Sequence, residues 1–202
     1  MAVYLNPGHN QYQMTTQSEI YVDKTEMILY LNSLVHTEQR YVSVSRPRRF
    51  GKSITANMLC AYYGKGDSSF LFKKRKLADY EGWDRYLNHF DVIRLVMTRF
   101  IKRKAAVQDA LEMMQRNVIR DICNTYPNID YLDRTDLIQT MEDVYAVTGK
   151  SFVIIIDEWD VLFRERKEDV EGQTLFLDFL RDWLKDQEYV ALAYITGILP
   201  IQ

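Results

Sequence analysis

The sequence predicts an α/β fold in which a mainly parallel sheet lies between two layers of helices, a three-layer α/β/α sandwich. Segments of strand character alternate with segments of helical periodicity along the 202 residues, as is typical of parallel strands joined by crossover helices. Residues 152–156 are apolar at every position, as expected of a central strand that is buried on both faces. We expect one domain over residues 1–202, with an N-terminal segment and helix (1–39) before the core (40–202).

The N-terminal part of the sequence predicts a loop, a helix, a strand and a second helix, in that order. Residues 1–18 are polar and predict a loop or a short edge element. Asp23 and Glu26 have the spacing of a capping box, so a helix is expected to follow them. Residues 41–45 alternate in polarity and predict a strand, and a helix is expected to begin at Ser53.

The remaining elements follow the same alternation. Gly149 is expected to end one helix in the left-handed conformation. Because ligands of parallel sheets bind beyond the carboxyl ends of the strands, polar residues at these ends are the candidate site residues. The predicted elements are a strand at 90–97, helices at 105–126 and 135–148, the buried strand at 152–156, a helix at 175–185 and a strand at 189–195.

Gly51, Lys52 and Ser53 stand between a predicted strand and a predicted helix and match the last three positions of a Walker A phosphate loop. Gly51 lets backbone amides approach a phosphate, Lys52 brings a positive charge to the β- and γ-phosphates, and Ser53 offers a hydroxyl to Mg²⁺. Arg46 stands where the motif has its first glycine. The candidate nucleotide-binding residues are Arg48, Arg49, Phe50, Gly51, Lys52, Ser53 and Ile54.

Asp157 and Glu158 end the all-apolar segment, which is the Walker B pattern. Asp157 is the candidate Mg²⁺ ligand with Ser53, and Glu158 is the candidate general base for the attacking water; a solvated strand end is the alternative. A glutamate beside this aspartate favours ATPases with an added central strand over GTPases. Asp160 either supports the metal or caps the next turn. Thr196, which ends the last predicted strand, is expected to sense the γ-phosphate.

Two pairs of charged residues each have two possible roles. Arg48 and Arg49 either contact phosphate or pair with Asp160 or a partner. Asp23 and Lys24 either border the nucleotide or only precede a helix.

Composition limits the function classes. The formal net charge is -2, so no overall positive field favours nucleic acid. Basic runs at 73–76 and 102–104 could touch DNA, although solvated loop charge is the favoured interpretation. The longest apolar run, 152–156, is far too short for a membrane helix, and no secretory signal is recognisable. Cys60 and Cys123 lack metal-ligand spacing and predict reduced thiols in a cytoplasmic protein.

Four segments together resemble the bacterial AAA-ATPase-like family, whose members read roughly YVDKT, RPRRFGKS, a DEYD box and TGILPI. The corresponding segments here are 21–25, 45–53, 156–160 and 195–201. Arg46 is shared with the family, whereas Trp159 replaces a tyrosine. The resemblance implies an ATPase domain followed by a further core strand, a lid and a nuclease-like domain of the PD-(D/E)xK type, so this chain is expected to be truncated before them.

The expected function is Mg²⁺-dependent binding of ATP and ADP with slow ATP hydrolysis, acting as a conformational switch. The candidate catalytic residues are Glu158, Lys52 and Thr196. Two alternatives stay open. One is a nucleotide-binding regulatory module that does not hydrolyse ATP and acts on a partner protein. The other is the ATPase part of a nuclease-linked, nucleic-acid-processing protein.

Overall fold

The computed structural model describes residues 2–199 as a four-stranded parallel sheet with helices on both faces, which confirms the predicted fold class. The strand order is β1-β4-β3-β2, and each neighbouring pair is parallel. β4 therefore lies between β1 and β3, as the predicted added central strand. The strands are β1 (Tyr41–Ser45), β2 (Asp91–Val96), β3 (Phe152–Asp157) and β4 (Val190–Gly197).

The sheet divides the apolar core into two clusters, one on each of its faces. Along β3, Ile154 and Ile156 belong to one cluster, whereas Val153 and Ile155 belong to the other. Every apolar side chain of β3 therefore packs into one cluster or the other. A strand without polar positions suits the centre of a three-layer fold because both of its faces are buried there. The helices are α1 (Asn10–Thr16), α2 (Met27–Leu34), α3 (Lys52–Tyr63), α4 (Ser69–Phe72), α5 (Thr98–Ile101), α6 (Val107–Thr125), α7 (Leu137–Thr148), α8 (Val161–Glu165) and α9 (Val170–Leu184), with a 3₁₀ turn at Lys76–Asp79.

The predicted strands and the long helices are confirmed, with differences at some boundaries. Gly149 ends α7 with φ +64°, the left-handed conformation expected of it. α9 begins at Val170 rather than at 175, because the Asp169 side chain accepts a hydrogen bond from Gly172 N and caps the helix. The short helices α5 and α8 were not predicted. Their few residues carry too little periodicity to be recognised.

The prediction of a loop over residues 1–18 is wrong in part. Leu5 does form an edge element, an antiparallel bridge to Ile93 of β2. Asn10–Thr16, however, is helix α1, whose only buried residue is Tyr12. Tyr12 stacks on Phe72 with 5.4 Å between ring centroids. Tyr12 therefore fixes α1 to the core. Because the rest of this segment is mostly polar and has no stripe of apolar residues, its sequence does not predict a helix.

Asp23 and Glu26 do not form the predicted capping box. Glu26 is the N-cap of α2 without a side-chain cap bond, and its carboxylate accepts from Tyr80 OH instead. Asp23 accepts from the amide and hydroxyl of Thr25 at 2.9 and 2.7 Å and from Lys76 N at 3.1 Å. Burial alone would raise the pKa of Asp23, but these hydrogen bonds hold it below its ordinary value. Asp23 thus fixes the segment that precedes α2 against the 3₁₀ turn.

Candidate functional site

A cleft of about 430 Å³ opens at the carboxyl ends of β1, β3 and β4. It brings together most of the predicted site residues, which lie more than a hundred positions apart in the chain. Phe50 and Thr196 are the exceptions: Phe50 faces a neighbouring cavity, and Thr196 is fully buried behind Asp157. The predicted residues that line the cleft are Arg48, Arg49, Gly51, Lys52, Ser53, Ile54, Asp157 and Glu158.

The predicted phosphate loop, residues 46–51, ends at the N-terminus of α3. Gly51 has φ +78°, a conformation that favours glycine, and it is the N-cap of the helix without a side-chain acceptor. Thr55 N donates to Gly51 O at 2.9 Å. The amides of Lys52, Ser53 and Ile54 in the first turn are left for an outside acceptor. Together with the helix dipole, they favour an anion at this position.

Two lysines hold the phosphate loop from opposite ends. Lys52 Nζ donates to the carbonyl oxygens of Arg46 and Pro47 at 2.7 and 2.8 Å. Lys24 Nζ donates to Phe50 O at 2.9 Å, which places Lys24 beside the loop. Arg46 N continues the pairing of β1 with β4 through Gly197 O at 3.2 Å. The loop therefore begins from an extended residue before proline, which explains why it needs no glycine there.

Asp157 is 1% exposed and is contacted from two neighbouring strands. Its Oδ1 accepts from Thr196 Oγ1 of β4 at 2.7 Å, and its Oδ2 lies 3.5 Å from a terminal nitrogen of Arg94 on β2. Glu158 is only partly buried, and its Oε2 accepts from Thr98 Oγ1 at the start of α5. The two carboxylates thus differ in environment: one is enclosed in the sheet, and one faces the cleft.

Arg94 and Thr98 were not among the predicted site residues. Thr98 follows the end of β2, so the rule that sites lie at the carboxyl ends of strands could have indicated it. Arg94 is the only charged residue in the otherwise apolar run 92–97, and a charged residue inside a buried strand is unusual enough to be noticed.

Asp160 is fully buried and anchors the segment after β4. Its Oδ2 accepts from the amides of Ile198 and Leu199 at 2.9 and 3.0 Å and pairs with Arg164 Nε at 3.0 Å. It makes no side-chain cap bond to α8, so the capping alternative is wrong. The predicted alternative that Arg48 or Arg49 pairs with Asp160 is wrong as well, because the ion-pair partner of Asp160 is Arg164.

The two basic runs contain lysines in ion pairs with nearby glutamates. Lys76 lies 3.9 Å from Glu26, and Lys102 lies 3.2 Å from Glu165 at the rim of the cleft. Such exposed pairs are what a solvated, mixed-charge surface provides.

A second cavity, of about 320 Å³, lies on the other side of Gly51 and is mainly apolar. It is formed between the segment that precedes α2 and the first turns of α3. Several of its apolar side chains are unusually exposed for their size, with Ile20 at 86%. We call this the apolar cavity; its apolar lining includes Ile20, Val22, Phe50, Ile54 and Met58.

Glu158 adopts φ +56°, which strains any residue except glycine. We therefore expect Glu158→Gly to be more stable than Glu158→Ala by about 1 kcal/mol in urea unfolding. Both variants lose the carboxylate and the bond from Thr98, so the comparison isolates the backbone conformation. An alanine variant as stable as the glycine variant would show that position 158 is not strained.

One of three comparisons with known proteins gave a match. The family model described as Predicted AAA-ATPase matches residues 8–202, a range that contains the phosphate loop and both carboxylates. Comparison with curated proteins gave no match, and neither did comparison with solved structures. Over residues 2–199, the helices are all too short or too polar to cross a membrane. A family of predicted ATPases implies nucleotide binding. Because the match covers nearly the whole sequence, the chain belongs to the AAA-ATPase-like family.

Proposed function

We propose that this chain binds ATP and ADP with Mg²⁺ and hydrolyses ATP slowly, as a conformational switch. The observation that carries the proposal is the meeting of the phosphate loop with Asp157 and Glu158 in one cleft. Either feature alone has an ordinary structural explanation. A cleft lined by the first turn of α3 and by both carboxylates can hold phosphates and Mg²⁺ together, as phosphoryl transfer needs.

The phosphates would bind at the first turn of α3. Lys52 would exchange its two hydrogen bonds to the carbonyl oxygens of Arg46 and Pro47 for bonds to phosphate oxygens. Its ammonium group would then neutralise phosphate charge without leaving its present position. Arg48 and Arg49 are exposed on the same rim and would add positive charge there.

The residues at the floor of the cleft fit Mg²⁺. Ser53 and Asp157 offer oxygen donors, and both line the cleft. Residues 2–199 assemble no cluster of three or more acidic, histidine or cysteine side chains. Proteins usually bind Mg²⁺ through one or two of their own oxygens, with phosphate and water completing the shell, so Ser53 and Asp157 would suffice. When bound, Mg²⁺ would neutralise charge that develops on the phosphates.

Glu158 would accept the proton of the attacking water, since its carboxylate faces the cleft and is oriented by Thr98. Thr196 lies buried behind Asp157 and donates its hydroxyl hydrogen to that carboxylate. It would therefore act by positioning Asp157 rather than by contacting the γ-phosphate directly. Thr98 is the first residue of α5. A change in the position of the Glu158 carboxylate during hydrolysis would therefore move Thr98 and, with it, α5. In the proposed switch, α5 would be the first helix to move.

The nucleotide base would bind in the apolar cavity. This cavity and the cleft share Arg49, Gly51 and Ile54, so a ligand with phosphates at α3 can extend into it. Exposed apolar side chains such as Val22 and Phe50 then gain a covering ring.

The direct test is phosphate release from ATP by the purified chain. We expect slow release with Mg²⁺ and none when the metal is chelated. Tight binding of Mg–ATP without any release would support the regulatory module instead. Release that persists in excess chelator would contradict the assigned metal role of Ser53 and Asp157.

A further inference from the structure

Arg94 is a positive charge placed where the fold otherwise buries apolar groups. Its neighbours Ile93 and Leu95 belong to the core cluster on the face of the sheet that α6 covers. Val92 belongs to the cluster on the opposite face, which α3 covers. Because side chains alternate along a strand, Arg94 lies on the α3 face. Its side chain is 14% exposed. The charge must therefore be compensated inside the molecule.

Asp157 is the ion-pair partner of Arg94 in residues 2–199, and the pair is imperfect. The distance of 3.5 Å between the Arg94 terminal nitrogen and Asp157 Oδ2 exceeds that of an ordinary hydrogen bond. Arg94 Nε is buried and has no hydrogen-bond partner in the same range. A pair that served stability alone would be expected to satisfy these groups. Little hydrogen bonding would therefore be lost if Arg94 moved away from Asp157.

We propose that Arg94 is the counterion of Asp157 in the metal-free chain, and that it releases Asp157 to Mg²⁺ when Mg–nucleotide binds. The second half rests on the proposed function. The hydroxyl of Thr196 hydrogen-bonds Asp157 but brings no charge. Among residues 2–199, Arg94 is the cation paired with this buried carboxylate, so it offsets the negative charge in the metal-free state. Once Mg²⁺ supplies the compensating charge, two cations face one carboxylate and repel each other. Arg94 is thus a positioning residue that lowers metal affinity.

The structure gives the guanidinium a place to move. A polar cavity of about 400 Å³ lies between α3, β2 and the N-terminal segment. Arg94 and Asp157 both line it, together with the amide side chains of Gln11 and Asn57. Arg94 can therefore separate from Asp157 and still be solvated, whereas Asp157 stays fixed at the end of β3.

Arg94→Met tests the proposal, because methionine keeps an unbranched apolar stem and removes the charge. In chelator, we expect the unfolding midpoint to fall by on the order of 10 °C, since Asp157 is left buried without a counterion. In saturating Mg–ADP the fall should be much smaller. At fixed ADP, the variant should need roughly tenfold less Mg²⁺ for half-maximal stabilisation.

The double variant Arg94→Met/Asp157→Asn decides the counterion role without any nucleotide. In chelator its midpoint should recover most of the loss of the single variant, because both charges are gone. It also keeps the test open if Arg94→Met alone does not fold. No recovery in the double variant would overturn the counterion role.

Arg164→Met is the matched control, because Arg164 also pairs with a fully buried carboxylate, Asp160. This control should lose similar stability in chelator and in Mg–ADP. Equal losses for Arg94→Met in the two conditions, or weaker Mg²⁺ affinity, would overturn the release to metal. A wild-type chain that Mg–ADP does not stabilise would refute the proposed function, and the chelator comparison would still decide the counterion role.

Discussion

Lys52→Ala is expected to abolish the stabilisation of the chain by Mg–ATP and to weaken its binding by roughly 100-fold or more. The ammonium group of Lys52 lies on the phosphate loop between the carbonyl oxygens of Arg46 and Pro47. It is therefore held where phosphate oxygens would replace those carbonyls. Each charge-assisted bond that is lost is worth about 1.5–3 kcal/mol. The measurement is the shift of the unfolding midpoint with increasing Mg–ATP, for wild type and variant.

Lys102→Ala is the control for the loss of a positive charge at the same cleft. Lys102 lies on the rim and is already paired with Glu165 at 3.2 Å. We expect this variant to keep most of the Mg–ATP stabilisation. If both lysine variants lose it equally, the cleft attracts nucleotide by general charge and the assigned role of the phosphate loop is wrong.

Glu158→Gln is expected to reduce ATP turnover by about 10²- to 10⁴-fold and to leave Mg–ATP affinity within a few fold of wild type. Glutamine keeps the shape of the side chain and can still accept the hydrogen bond from Thr98, but it cannot take a proton from water. The measurements are phosphate release under saturating ATP and, separately, the binding affinity.

Glu165→Gln is the matched control, because Glu165 is a second glutamate that lines the cleft. Its loss of charge should change turnover little, since its carboxylate pairs with Lys102 and is assigned no catalytic step. Unchanged turnover in Glu158→Gln would remove Glu158 from the mechanism. Equal losses in the two variants would point to the total negative charge of the cleft rather than to a general base.

The sheet and the turn into α3 could be predicted because each has a local signal. The all-apolar run in β3 is compatible with a central strand, and Gly51 with Lys52 and Ser53 lies between a predicted strand and a predicted helix. The glutamate beside Asp157 even indicated the added strand, which the structure places as β4 between β1 and β3. In each case a few consecutive residues carry the information.

The parts that sequence reasoning missed depend on contacts between distant segments. Arg94 and Thr98 act on the carboxylates only because β2 lies beside β3, and nothing in their own neighbourhood specifies that pairing. Asp23 has the spacing of a helix cap, yet Thr25 and Lys76 provide better donors. Local propensity was overridden here by tertiary hydrogen bonds, as is common for short polar side chains at helix ends.

Calorimetric titration of Mg–ADP into the purified chain tests the central claim most directly. The account predicts one site of micromolar affinity, with the heat lost in Lys52→Ala. A folded chain that gives no heat with Mg–ADP or Mg–ATP would contradict the claim that the cleft at β1, β3 and β4 is a nucleotide site.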